Sequence, residues 1–454
     1  MTANSAGGRR GDDARLTVEG YRASVAAFPP GPYRDFCLWV LDQPDLRPRW
    51  LQLIGLEAVV RMTNQVMAAS APTMRTDAVA PYVAAMNVYQ VFEIVSDNLA
   101  IGLAVPTLDA ESAVRRRVLY EFNAELVGML HASRQIGTSR PPWYAEAQQI
   151  SGAAQSLAAS EHRSLADAYR QRCAGLVASR PANRSCERDD PRPSGLDVDE
   201  LDRSIGPCLL SNRDTAASLL RMVADQPTAA YVRESLARRY AAVNRLLEQP
   251  PAEPAELVAL GADTILVEPT LAYYCGVLGA RLLPARAWGE AVAEALRQLL
   301  ADAAVAVRLL NDIGPGLLEH AAPERADLLA ALGPGATLRD SLLAPAEGRI
   351  DSLTTRLRKD ARFDEFNVGL DGLRDEPWNA ATRSAFAERL DYLADRYVHS
   401  RRAITAGANL LTARSGSRLL GDVVVRFVGF HRALYRHSFQ SDAGEYAVPA
   451  ARSA

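Results

Sequence analysis

The sequence predicts an all-α protein, on three observations. Alanine, leucine and arginine dominate while β-branched runs are short, which favours long periodic helices over strands. No strand alternation and no internal repeat is evident. The connections are mostly short, so about a dozen helices form one large bundle rather than separate domains.

Taken along the chain, residues 1–15 read as a disordered tail, and the Pro-rich stretch FPPGPYRD (28–35) precedes the first strong helical pattern. Helical periodicity then predicts helices over 34–42, 47–69, 78–104, 109–135, 142–178, 197–224, 226–247, 253–282, 286–313, 323–331, 346–359, 379–411 and 417–438. Residues 179–195, SRPANRSCERDDPRPSG, are rich in Arg, Asp, Pro and Ser and read as a flexible insertion between two helical halves. One helical domain is thus expected over 16–440, followed by a C-terminal tail at 441–454.

The composition excludes several classes. With 454 residues and 48% hydrophobic content the chain can bury a sizeable core. A net charge of −3 and the lack of any basic run interleaved with aromatics give no expectation of nucleic acid or an anionic membrane as partner. The start lacks an apolar h-region, and no stretch approaches the ~18 apolar residues of a membrane span. The five cysteines are scattered, without zinc-site spacing, as expected of reduced thiols in a cytoplasmic protein. Lys359 is the only lysine, so arginine carries every other positive charge.

Two segments carry candidate chemistry. In MNVYQVFEIVSDNLAI (86–101) the residues are apolar almost all round, yet Gln90, Glu93, Ser96 and Asp97 form one polar stripe at helical spacing. A helix apolar on its other faces is buried, so the stripe must be satisfied from within the protein. Glu93 and Asp97 are i, i+4 neighbours, and two buried carboxylates there repel unless a cation lies between them or one is protonated. Mg²⁺ would satisfy both. The alternative is a helix edge at the surface with two solvated acids. In AAVAVRLLNDIGPGLLE (303–319) a long helix ends in Asn311 and Asp312, with Glu319 eight residues after Asn311. Here the alternative is an ordinary Arg308–Asp312 helical ion pair at a helix end.

Together the two segments resemble the metal-binding pair of the class I isoprenoid fold, shared by trans-polyprenyl diphosphate synthases and terpene cyclases. LRPRWLQLIGLEAVV (46–60) resembles the elongases' Arg-Pro helix, and NVYQVFEIVSDN (87–98) aligns with the helix of their first aspartate-rich motif, with Asp97 at its first Asp. VEPTLAYYCGVLGA (267–280) resembles their Lys-Thr helix. The cyclase motif fits RLLNDIGPGLLE (308–319) at Arg308, Leu309, Asn311, Asp312 and Glu319, while Pro315 stands where a hydroxyl ligand belongs. The resemblance covers about 46–320.

What the resemblance implies is an Mg²⁺-dependent terpene cyclase, a lyase that ionises farnesyl or geranylgeranyl diphosphate and cyclises the cation. Catalysis would fall to Asp97, Asn311 and Glu319. Metal binding would fall to Glu93, Asp97, Asn311, Asp312 and Glu319. Diphosphate would be met by Arg47, Arg308 and a C-terminal Arg-Tyr group, Arg432, Tyr435 and Arg436, which is preferred to Arg396-Tyr397 as nearer the end of the chain. Tyr89, Phe92, Tyr273, Tyr274 and Trp288 would line the cavity and stabilise cations by their π faces, the alternative being plain core packing. The elongases' lysines are missing here, with Val267 in place of the Lys-Thr lysine, which argues for one diphosphate rather than two. An elongase or other prenyltransferase, or a non-catalytic partner subunit of the same fold, are the alternatives, and a homodimer stays open.

Overall fold

The structure, a computed structural model, describes residues 5–68, 78–100, 110–132, 140–150, 159–178, 198–201, 203–345, 350 and 353–436. Every regular element among the described residues is helical, as expected, and the one pairing of extended backbone is an isolated bridge between Thr337 and Pro377. The expected insertion at 179–195 and tail at 441–454 lie outside the described residues.

The first helices are α1 (Ser5–Ala26), α2 (Pro32–Asp42), α3 (Arg47–Leu53) and α4 (Leu56–Ala68). α1 begins inside the stretch expected to be a tail. The reason lies in its second half, where Tyr21 and Val25 are buried and Thr17 accepts a hydrogen bond from Asn87 Nδ2 at 3.2 Å. The helix expected over 47–69 is two, because Gly55 takes the left-handed conformation (φ 73°) that ends α3.

Next come α5 (Ala80–Ala100), α6 (Ala110–Ala132), α7 (Trp143–Ala147), α8 (Ala159–Ala178), α9 (Val198–Leu201), α10 (Ile205–Met222) and α11 (Ala229–Glu248). The pattern over 253–282 also divides, into α12 (Pro254–Thr264) and α13 (Val267–Leu282). Ile265 is extended (ψ 153°), and Pro269 then falls in the first turn of α13, where its missing N–H leaves no gap in the helical bonding.

The last group is α14 (Glu290–Asp312), α15 (Pro315–Glu319), α16 (Ala322–Ala330), α17 (Leu338–Leu343), α18 (Thr355–Phe363), α19 (Ala380–Ser415) and α20 (Leu419–Leu434). Local chemistry sets the ends of α19. Asn379 Oδ1 accepts from the N–H groups of Ala381 and Thr382 at 2.9 and 3.1 Å, and Gly416 closes the helix at φ 70°.

α14 is the central helix of the second half, packed by α12, α13, α19 and α20. Leu296, Leu299, Leu300, Ala303, Val307 and Leu310 are buried along it, and burial of each leucine contributes roughly 1.5–3 kcal/mol. α5 plays the corresponding part in the first half. Val83, Met86 and Tyr89 belong to the main core, whereas Val88, Val91 and Phe92 belong to a second core built on α1–α4. One helix therefore joins two cores. No described helix is long and apolar enough to cross a membrane.

Gly279 of α13 gives the fold its sharpest local test. A Cβ there would overlap the Trp288 ring, which sits just past the 3-10 turn Ala285–Ala287 and ahead of α14. Gly279→Ala is expected to lower the unfolding free energy by about 1–3 kcal/mol, measured by urea denaturation.

Candidate active site

Protein groups meet part of the polar stripe of α5, at Gln90 and Glu93, and the neighbouring Asn87. Asn87 Oδ1 accepts from the Thr63 hydroxyl at 2.6 Å, and Gln90 Nε2 donates to Thr270 Oγ1 at 3.1 Å. Glu93, 1% exposed, has the densest set of partners. Arg239 of α11, itself 2% exposed, brings a guanidinium nitrogen to 2.7 Å from Oε2. Asn212 Nδ2 of α10 donates to Oε1 at 2.9 Å, and the Tyr240 hydroxyl donates to the same oxygen. Each phenol has one proton, so Tyr240 gives its own to Glu93 and accepts from Tyr89, 2.7 Å away. Burial first, and then the Glu93 charge, push both phenols well above the usual tyrosine range and keep them donors.

The cation that a buried Glu93 requires is thus present, and it is Arg239. The sequence reading passed over this residue. Its signal is register: Val232, Leu236 and Arg239 follow one another at i, i+4 and i+7 on the buried face of α11. Asp97 lies on α5, but its side chain is outside the described residues.

The end of α14 forms a second buried network. Asp312 accepts from Arg308 Nε at 3.0 Å and from the Val368 N–H at 2.9 Å, both at Oδ2. Burial pushes this carboxyl up, and the Arg308 charge opposes the push. Arg356 of α18 donates to the Asn311 carbonyl at 2.6 Å and to Asn311 Oδ1 at 2.7 Å, while its guanidinium sits 5.0 Å from the Tyr435 ring centroid. Asn367 Nδ2 bridges the Asp312 carbonyl at 2.8 Å and Asp360 Oδ2 at 2.6 Å. Burial raises the Asp360 carboxyl to about 6.

Glu319 does not continue the face of Asn311. Gly314 at φ 85° turns the chain, α15 starts at Pro315, and Glu319 ends it beside α19 and α20. There Arg432 holds it in a fork, Nε to Oε1 at 2.5 Å and the terminal nitrogen to Oε2 at 2.8 Å. Arg436 donates to Oε2 at 3.0 Å, Arg401 approaches to 3.8 Å, and the Tyr397 hydroxyl donates to Oε1 at 3.4 Å. Partial burial raises the Glu319 carboxyl, but the hydrogen-bonded Arg432, with Arg436 and Arg401, outweighs it and holds the group below its usual range.

One end of α14 therefore gathers Arg308, Asn311, Asp312, Glu319, Arg432, Tyr435 and Arg436. It adds Arg356, Asp360, Asn367 and Arg401, which sequence reasoning missed. Arg47 is elsewhere, exposed in the first turn of α3, which packs on α2, α4 and α8. Glu93 and Asn311 have separate sets of partners, those of Glu93 on α10 and α11 and those of Asn311 being Arg356 and Asp312.

The five candidate cavity aromatics sit in close packing. Tyr89 belongs to the Glu93 network, Phe92 stacks on Tyr21 at 5.5 Å, and Tyr273 donates to the Tyr82 carbonyl at 2.9 Å. Tyr274 meets the Thr63 hydroxyl at 3.2 Å, and Trp288 covers Gly279. A cleft of about 300 Å³ lies instead between α1, α5 and α10, lined by Leu16, Gly20, Ala84, Ala85, Val88 and Thr215.

The described carboxylates do not fit a magnesium centre. Glu93, Asp312 and Glu319 are each closed by arginine, and among the described residues no three His, Cys, Asp or Glu side chains gather as a metal would require. No protein-family model matches the chain, and no curated protein and no solved structure matches it either.

Asp360 makes this network pH-sensitive in a defined direction. Its folded pKa lies above the ordinary 3.8, so the folded state holds the proton more tightly than the unfolded chain does. The resulting stabilisation is complete below the unfolded value and is lost as pH rises through about 6. Asp360→Asn is expected to remove this component, flattening the difference in thermal midpoint between pH 4 and pH 7 relative to the unaltered protein, as followed by circular dichroism.

Proposed function

We propose that the protein takes a linear prenyl diphosphate at the C-terminal end of α14 and acts on it as a terpene synthase-type lyase of the class I isoprenoid fold. The reading rests on one observation: Arg356 ties Asn311, next to the Arg308–Asp312 pair, to Tyr435, on the same C-terminal segment whose Arg432 and Arg436 hold Glu319. The two groups are 120 or more positions apart in sequence, and the resemblance assigns Arg308, Arg432, Tyr435 and Arg436 to the diphosphate and Asn311 and Asp312 to its metal.

The chemistry of the site is that of an anion acceptor. Three guanidinium groups surround Glu319, leaving positive charge in excess at a place open to water. Guanidinium forks match phosphate oxygens, and charge placed on the departing diphosphate lowers the barrier to ionisation. Because the described carboxylates are closed by arginine, the neutralising charge in this reading falls to Arg432, Arg436 and Arg401. The Tyr397 ring lies under Arg401, its centroid 5.8 Å from the guanidinium carbon.

A second reading, a non-catalytic partner subunit of the same fold, is favoured by the sealing of Glu93 and by the packed state of the candidate cavity aromatics. Diphosphate release from single C10, C15 and C20 prenyl diphosphates, with and without Mg²⁺, separates the two. We expect release from one substrate without a second substrate, and a loss of at least about tenfold in Arg432→Ala. A requirement for a second substrate would mark a prenyltransferase. Binding without release would favour the partner subunit.

A further inference from the structure

Glu319 stands in an unusual balance. One carboxylate is held by Arg432 in a fork at 2.5 and 2.8 Å, by Arg436 at 3.0 Å and by the Tyr397 hydroxyl at 3.4 Å, with Arg401 at 3.8 Å. Fork geometry of this kind is how guanidinium recognises phosphate as well as carboxylate. A single negative charge does not neutralise three positive ones, so the cluster is underfilled.

We infer that Glu319 is a displaceable internal counter-ion, occupying the arginine clamp until a phosphate group takes its place. This rests on the reading that the clamp receives a diphosphate, and it assigns Glu319 the role of competitor in place of metal ligand.

Three observations separate Glu319 from the other carboxylates near the candidate motifs. It is accessible: its side chain is 26% exposed and those of Arg432 and Arg436 are 36% and 54% exposed, so an incoming anion reaches the same nitrogens from solvent. Its release is inexpensive, because a carboxylate at the surface regains water when it leaves its partner, and exposed pairs contribute little net stability. Glu93 and Asp312, at 1% and 0% exposure, have no such exit. Finally, its attachment allows displacement. Glu319 is the last residue of a five-residue helix, preceded by Gly314 at φ 85° and followed by His320 in extended conformation.

A diphosphate offers more charge and more acceptor oxygens than one carboxylate, so it gains more from the same three guanidinium groups. It also leaves Glu319 as a like charge at the edge of the site, which opposes binding of any weaker anion. The clamp therefore selects di- and polyphosphates over carboxylates.

The test is titration calorimetry of the full chain with inorganic diphosphate in metal-free, low-salt buffer. Glu319→Gln keeps the size of the side chain and removes the competing charge. Diphosphate is expected to bind it about three- to tenfold more tightly than the unaltered protein. Arg432→Ala is expected to bind at least about tenfold more weakly. If Glu319→Gln binds no more tightly while Arg432→Ala loses affinity, the clamp stands and Glu319 is a structural partner, which overturns the inference alone. If neither the unaltered protein nor Glu319→Gln binds diphosphate, the clamp itself is refuted. Should Glu319→Gln fold poorly by circular dichroism, Glu319→Asp supplies the comparison. Its shorter side chain loosens the fork while keeping the charge, and tighter binding of diphosphate there supports displacement, whereas unchanged binding contradicts it.

Discussion

The contact between Glu93 and Arg239 is the constraint around which the first half of the bundle is arranged. Two full charges are buried at 1% and 2% exposure, 2.7 Å apart, and removing either from water costs several kcal/mol unless the other is in place. Asn212 and Tyr240 fill the other carboxylate oxygen of Glu93, and Tyr89 donates in turn to Tyr240, so three helices contribute. α5, α10 and α11 are thereby held in one register. Because α5 carries side chains of both hydrophobic cores, that register also fixes how the two cores meet.

The same device recurs along the molecule with decreasing enclosure. Arg308 closes Asp312 in the interior, Arg356 holds Asn311 at the edge, and three arginines hold Glu319 where the protein opens to water. A chain with a single lysine does all of this with guanidinium groups, whose planar fork makes several directed hydrogen bonds without losing its charge on burial. The buried pairs specify the structure. The open one has charge left over.

Much of the fold was legible because helical periodicity is a local property. The breaks that escaped notice depend on backbone conformation at one residue, Gly55 at the end of α3 and Ile265 between α12 and α13, inside otherwise continuous apolar patterns. The stripe on α5 was correctly read as needing partners from inside the protein. Their identity was not legible, since spacing within one helix reveals that a charge needs a counter-charge but not which distant helix supplies it. Arg239 is 146 positions away from Glu93. The C-terminal group Arg432, Tyr435 and Arg436 was visible as residue types; its two arginines lie on Glu319 and its tyrosine under Arg356. By contrast, the Val368 N–H and Asn367 that hold Asp312 carry no side-chain signal a sequence could show, because one is backbone and the other a loop asparagine.

The most direct measurement of this account is a double-mutant cycle between Glu93→Gln and Arg239→Met, read by urea unfolding with and without Mg²⁺. Each single change leaves a buried group without its counter-charge and should cost about 3–5 kcal/mol, while the double variant should cost no more than either single, giving a coupling of about 3–5 kcal/mol that magnesium does not alter. Additive losses, together with stabilisation of the unaltered protein by Mg²⁺ that Glu93→Gln abolishes, would contradict it and return Glu93 to a metal.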